Sequence, residues 1–258
     1  MKNINTGSLC ISVPNPALII LTGFLIGILS GMFGFGGSSI STPLLRILFL
    51  IPPYYALASP LPMTLLSAIL ASARYYRENL VDWEIVIKIL IPMVPGSIIG
   101  AYLTKYISGK SLMLFTAIFL LYIALRFILS ERERQEETKR KWLLYLLGFF
   151  VGFLSGLLAN GGGIFIVPLL SLMGVRLKKA IASSLVIVIL GVLPSVIVHA
   201  YLGHIDWLLT LFLSLGAIPA AYLGAHITLR ISQKKLRVLY GSFLLIFSLY
   251  FALFELLV

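Results

Sequence analysis

Residues 23–45 read GFLIGILSGMFGFGGSSISTPLL and residues 148–170 read GFFVGFLSGLLANGGGIFIVPLL. A chain that carries one segment twice is built from two copies of one unit, and this constrains the fold more than any other feature. At an offset of 125, Gly23, Gly27, Ser30, Gly31, Gly36, Gly37 and Pro43 fall on Gly148, Gly152, Ser155, Gly156, Gly161, Gly162 and Pro168. At an offset of 124 the register continues: Ala56-Leu57-Ala58-Ser59 meets Ala180-Ile181-Ala182-Ser183, Asp82-Trp83 meets Asp206-Trp207, Pro95 meets Pro219, and Gly100 meets Gly224. Shared composition does not align so many of the rarer residues. The chain therefore divides into a first repeat at 1–129, a charged linker at 130–141 and a second repeat at 142–258.

Each repeat contains four apolar blocks. They run about 17–50, 56–76, 83–104 and 111–129, then about 143–173, 178–201, 207–229 and 236–257. Blocks of ~20 residues match a hydrocarbon core ~30 Å thick at the rise of an α-helix. With 60% hydrophobic and 11% charged residues, the chain has too little polar surface for a soluble exterior. The expected fold class is all-α, a polytopic transmembrane helical bundle. The net charge of +11 would suggest nucleic acid in a soluble protein. Here Lys and Arg sit in short loops between apolar blocks, a pattern that excludes nucleic acid and points to anionic lipid headgroups. Cys10 is the only cysteine, so neither an internal disulfide nor a multi-cysteine metal site is available. No small-residue cleavage site follows a short apolar run, so the first block is expected to stay in the mature protein. Asp82 and Asp206 read as helix N-caps beside interfacial tryptophans.

The first block of each half is too long for one span and is interrupted, at Gly34-Phe35-Gly36-Gly37-Ser38-Ser39 and at Asn160-Gly161-Gly162-Gly163. Adjacent glycines unwind a helix, each costing about 1 kcal/mol against alanine. Unwound backbone survives at membrane depth only where protein buries it or a watery cavity hydrates it. Interruptions at corresponding positions of two halves are the best sequence pointer to a transporter's binding site. A second short helix is expected from about Ser38 and from about Gly163, and its first N–H groups and positive dipole end suit an anion. Candidate substrate-binding residues are Gly36, Gly37, Ser38, Ser39, Asn160, Gly161, Gly162 and Gly163, joined by Ser59, Ser183 and Ser184 at the start of the second block. Gly23, Gly27 and Gly31, like Gly148, Gly152 and Gly156, are spaced by four and read as helix-packing positions.

Loop charge sets the topology. Arg176, Lys178 and Lys179, then Arg230, Lys234, Lys235 and Arg237, alternate with the uncharged-by-lysine loop at Gly203 and with the C-terminus. The linker, with Arg132, Arg134, Lys139, Arg140 and Lys141, also belongs inside. Both ends of the broken block are then cytoplasmic, which makes it a re-entrant hairpin. Each half has about three full spans and one hairpin, and an odd number of spans inverts the second repeat relative to the first. In the first half Arg74 and Arg77 oppose Lys105 and Lys110, and four full spans per half in parallel is the alternative.

The acidic residues, Glu78, Asp82, Glu84, Glu131, Glu133, Glu136, Glu137, Asp206 and Glu255, all fall near block ends or in loops. Cation and proton pathways in membranes usually need a carboxylate inside a span, so an anion or neutral solute is expected. Arg46, Lys88, Arg126, His199 and His226 lie within a turn or two of block ends, where long side chains reach the headgroups; Arg46 stands out because it follows the break. His199 reads as an interfacial residue or as one lining an entrance.

The duplicated SG-x4-GG-x5-PLL segments resemble the signature of the sulfite exporter TauE/SafE family of membrane permeases, across both halves. The resemblance implies a multi-pass protein of a bacterial or archaeal inner membrane, with about eight membrane segments, that moves sulfite or organosulfonates. Ser38 stands where a third glycine is common, so the two breaks need not be equivalent. The sequence carries no HExxH, no usable GxSxG, no Cys/His cluster and no P-loop lysine, so neither an enzyme nor a cofactor or metal is expected. The expected function is secondary transport of a small sulfur-containing anion, with a carboxylate or neutral solute as the alternative. The expected partners are that solute, the lipid bilayer and, as an option, a second copy of the chain.

Overall fold

A computed structural model describes residues 15–129 and 142–257. Cys10 and the 130–141 linker lie outside the described residues. Helix α1 spans Pro16–Phe33, α2 Ser38–Phe49, α3 Pro53–Ala58, α4 Pro60–Tyr76, α5 Trp83–Leu103 and α6 Gly109–Leu129. The second half gives α7 Leu143–Leu157, α8 Gly163–Leu172, α9 Leu177–Tyr201, α10 Trp207–Arg230 and α11 Gln233–Leu257. Every regular element among the described residues is helical. α3 and α4 part at Ser59-Pro60, because Pro60 has no N–H to continue the ladder. The expected second helices start where the glycine runs placed them, at Ser38 and Gly163.

Among the described residues, six stretches are long and apolar enough to cross a membrane: Pro16–Phe33, Pro53–Tyr76, Trp83–Tyr106, Leu177–Tyr201, Trp207–Arg230 and Gln233–Phe254. Five of them coincide with expected full spans, and length also admits α1. Leu21, Ile91, Ile197 and Leu211 are exposed on the outside of the bundle, which is what a surface solvated by lipid tails requires. Trp83 and Trp207 are exposed beside their caps. The Asp82 carboxylate accepts the Glu84 and Ile85 N–H groups, and Asp206 accepts those of Leu208 and Leu209.

The halves interlock. α1 of the first half lies along α10 of the second, and α7 of the second lies along α5 of the first. α4 packs against α9, and α6 against α11. The glycines spaced by four make the two long contacts. A Cβ on Gly23, Gly27 or Gly31 would meet the carbonyl of Leu213, Ala217 or Ala221; one on Gly148, Gly152 or Gly156 would meet that of Ile89, Met93 or Ser97. At Gly31 and Gly156 the distance would be 2.0 Å, so only glycine lets these backbones come so close. Two reciprocal hydrogen bonds fasten the halves at opposite ends: the Asp82 N–H donates to Ser183 Oγ at 3.0 Å, and the Asp206 N–H donates to Ser59 Oγ at 2.9 Å.

Candidate functional site

The two glycine breaks meet at the centre of the bundle. Gly34, Gly36 and Gly37 have φ of 75°, 78° and 105°, in the left-handed region that end α1 and re-aim the chain into α2. In the second break Ala159 and Gly162 take φ of 44° and 72°. Gly36 and Gly161 are repeat partners, and both pack against the Thr64 methyl and Val188, themselves repeat partners on α4 and α9. Gly163 sits so close to the Gly34 carbonyl that a Cβ there would lie 2.1 Å from its oxygen.

Hydrogen bonds knit the breaks to one another and to their neighbours. Gly161 N–H donates to Ser38 Oγ at 2.7 Å, joining the second break to the first turn of α2. Ser184 Oγ donates to the Gly34 carbonyl at 3.0 Å, and Ser67 Oγ reaches the Gly36 carbonyl at 3.4 Å. Within the second break, Ser155 Oγ donates to the Asn160 carbonyl, and the Asn160 Oδ1 accepts Gly162 N–H.

The earliest amides bonded within α2 are those of Ile40 and Ser41, to the Gly37 carbonyl, and in α8 those of Phe165 and Ile166, to the Gly162 carbonyl. The N–H groups of Ser38, Ser39, Gly163 and Ile164 precede them, at the positive ends of two helix dipoles. Around these ends, Ser30 Oγ, Ser39 Oγ, Thr64 Oγ1 and Asn160 Nδ2 are buried without a hydrogen-bond partner. Each such group costs about 1–3 kcal/mol when unpaired. All four can donate, and no Lys, Arg, Asp or Glu lies in either break. A site made of amide, hydroxyl and carboxamide donors suits the oxygens of a compact anion.

Nine of the eleven sequence-predicted residues come together here: Gly36, Gly37, Ser38, Ser39, Asn160, Gly161, Gly162, Gly163 and Ser184. Ser59 and Ser183 do not join them; their hydroxyls accept the Asp206 and Asp82 N–H groups at the ends of the bundle. Arg46 turns away along α2 and donates to the Ile51 carbonyl. Lys88 pairs with Glu84, and the Arg126 side chain is outside the described residues. His199 is not interfacial but buried, 1% exposed. Thr64, Val188 and Ser67 were missed. Their signal was the repeat register, which sets Thr64 opposite Val188 in the middle of equivalent blocks.

The sequence family described as sulfite exporter TauE/SafE matches residues 19–251. Among curated proteins, the chain is 28% identical to the probable membrane transporter protein MJ0441 of Methanocaldococcus jannaschii, over 92% of this chain and 95% of that one. It is 26% identical to the probable membrane transporter protein YunE of Bacillus subtilis, covering 85% and 90% of the two chains. A second Bacillus subtilis relative, the probable membrane transporter protein YdhB, is 30% identical over 82% of this chain and 89% of that one. No solved structure matches the chain.

Proposed function

The chain belongs to the sulfite exporter TauE/SafE family of membrane transporters, and from that premise we propose that it is a secondary permease for small sulfur-containing anions such as sulfite or organosulfonates. The observation that carries this reading is the meeting of two unwound segments, with two helix N-termini and unpartnered buried donors, and no fixed charge between them. The anion sits between the first turns of α2 and α8, within reach of Ser39, Thr64 and Asn160. No titratable side chain or cofactor is needed to hold it, and the protein transports its substrate unchanged rather than acting as an enzyme.

The two halves lie inverted across an inner membrane. In support, Ser59 at the start of α4 bonds to the loop that follows α9, while Ser183 near the start of α9 bonds to the loop that follows α4. These repeat-equivalent helices therefore run in opposite directions. Arg74, Arg77, Arg176, Lys178, Lys179 and Arg230 gather at the Asp82 end, which faces the cytoplasm. At the opposite end Lys105 is held over the Tyr102 ring at 3.5 Å. The α1–α2 and α7–α8 pairs act as re-entrant hairpins: α1 begins alongside the start of α10, and α2 leads into α3 at that same end. Rocking of one half against the other opens the tips to each side in turn.

Uptake of labelled sulfite into proteoliposomes tests the reading, with sulfate, thiosulfate, small sulfonates and carboxylates as competitors. Saturable uptake that sulfonates block supports it. Uptake of carboxylates in preference to sulfite transfers the site to the alternative solute, and no uptake under any gradient withdraws the anion.

A further inference from the structure

One turn before each break, a side chain from the neighbouring span bonds the last carbonyls of the entering helix. In the first half Tyr75 OH donates to the Gly31 carbonyl at 2.8 Å. In the second half the repeat-equivalent bond joins His199 Nε2 to the Gly156 carbonyl at 3.2 Å. The frame is the same, but a phenol has been replaced by an imidazole, which has a second nitrogen. That nitrogen, Nδ1, lies 3.1 Å from Nδ1 of His204. The position equivalent to His204 in the first half is Leu80, so the pair exists on one side only. Tyr54 of α3 stacks on His204 at 4.8 Å between ring centroids and donates its own OH to the Ile107 carbonyl at 2.8 Å.

These contacts fix the protons. A carbonyl only accepts, so His199 Nε2 carries a hydrogen and its Nδ1 is a lone pair in the neutral ring. His204 Nδ1 must then carry the hydrogen of the bridge, which leaves His204 Nε2 as the free acceptor. One proton adds at His204 Nε2 with every bond kept. Transfer of the bridging hydrogen to His199 then moves the positive charge inward and returns His204 to neutrality. A second proton would set two Nδ1–H groups face to face and break the bridge. The inner charge rests at the C-terminal end of α7, where the helix dipole favours a cation.

Few charges compete at this end. α7 and α8 contribute none; α2 brings Arg46 toward α3, where it donates to the Ile51 carbonyl; α4 and α5 carry Arg74, Glu84 and Lys88, with Arg77 and Glu78 just after α4, at the opposite end. Lys105 is engaged over Tyr102 and Tyr106. Lys110 opens α6, Tyr55 follows Tyr54, Tyr201 closes α9, and Tyr250 and Glu255 lie in the last turns of α11, Glu255 with a side chain outside the described residues. The Asp206 carboxylate is occupied with the first amides of α10. Among the described residues no ion pair involves either ring.

We propose that His199 and His204 form a proton-binding site, loaded from the non-cytoplasmic side, whose proton accompanies the anion through the permease. This rests on the transport reading above, and it supplies the co-transported ion that the absence of carboxylates inside the spans leaves unassigned. The proton enters at half-buried His204, passes to buried His199, and acts on the carbonyl that ends α7 just ahead of the second break.

The chain has three histidines, so 15N-histidine labelling of the protein in lipid vesicles gives three ring signals, and His226→Gln removes the one outside the pair. The expected titration shows one proton taken up jointly by two rings that share an Nδ1 hydrogen. His199→Tyr, which installs the first half's residue, turns His204 into an independently titrating ring, and His204→Leu does the same for His199. Two rings that titrate alike whether or not the other is present overturn the site. The second readout is the ratio of sulfite uptake with an imposed gradient of about two pH units to uptake without one. A wild-type ratio of about ten that falls to one in His199→Tyr and in His204→Leu, and stays in His226→Gln, supports coupling. A ratio that survives in both pair variants refutes it. If wild type takes up no sulfite at all, the anion reading fails while the ring titration still decides the proton site.

Discussion

The two breaks share a backbone course and differ in what holds them. The second closes largely on itself: Ser155 serves the Asn160 carbonyl, and Asn160 serves the Gly162 N–H. In the first the local ties come from the helix that follows, Ser41 Oγ donating to the Gly37 carbonyl and Thr42 Oγ1 to the Ser38 carbonyl. Ser30, the repeat partner of Ser155, has an unpartnered hydroxyl, and the Gly34 and Gly36 carbonyls are bonded from outside, by Ser184 of the second half and Ser67 of α4. A symmetric scaffold thus carries one tip tied mainly by the residues that lead into it, with one bond from Ser38 of the other half, and one whose leading carbonyls are held by its neighbours. The neighbour-held tip also has the greater number of donors left over, so substrate bonding is expected to be unequal between them.

The largest effect should fall where the halves do not differ. Gly31→Val and Gly156→Val each drive a side chain into a backbone carbonyl 2.0 Å away on a helix of the other half. Neither Ala221 nor Ser97 backbone can yield without moving its helix, so each variant should lose about 3 kcal/mol or more. The check is the fraction of monodisperse protein after extraction and its melting temperature. Loss in one variant with tolerance of the other would show that the two interlocking contacts are not equivalent.

Thr64 and Val188 give the next contrast. They are repeat partners flanking Gly36 and Gly161, and only Thr64 has a hydroxyl, buried and unpartnered. Thr64→Val makes the pair symmetric and removes an unsatisfied group, which should stabilise the protein by about 1 kcal/mol while weakening sulfite uptake several-fold. Val188→Thr should destabilise by about 1–3 kcal/mol. A rise in melting temperature with undiminished uptake would take Thr64 out of the substrate site.

A smaller difference lies in the backbone. Gly34 and Ala159 are repeat partners and both take positive φ, but only Ala159 carries a Cβ there. Ala159→Gly should relieve about 1 kcal/mol of left-handed strain, while Gly34→Ala should cost at least as much. Melting curves of the two variants separate the strain from any effect at the neighbouring Asn160.

Much of this was legible from residue order. The repeat register, the breaks and the starts of α2 and α8 follow from glycine and proline positions, because those residues act through local backbone geometry. The Asp82 and Asp206 caps are local in the same way. Ser59 and Ser183 were less legible: a serine at a helix start looks the same whether its partner is a solute or the backbone of the other half. His199 looked interfacial because it is close to a block end, yet the Gly203 turn folds His204 back over it. Thr64 sat unremarked inside an apolar block because its role comes from two segments meeting across it. What sequence position could not convey was contact between halves more than a hundred residues apart.

The last asymmetry is at the caps. Asp82 and Asp206 bond the equivalent amides, but among the described residues the ion pair is at Asp82, with Lys179 Nζ at 2.7 Å. Partial burial pushes the Asp82 carboxyl up, and the Lys179 bond and the Ile85 and Glu84 amides more than reverse this, leaving it below the usual carboxylate range. A depressed folded-state pKa stabilises the protein above the unfolded value of about 3.9, and that contribution is lost as pH falls through the folded value. Because both side chains are partly exposed, the pair is worth about 0.5–1 kcal/mol at most. Lys179→Met should therefore lower the melting temperature slightly at neutral pH and make it less sensitive to acid below about pH 4. If Lys179→Met keeps the wild-type acid profile, the ion pair adds nothing to Asp82 beyond the cap it shares with Asp206.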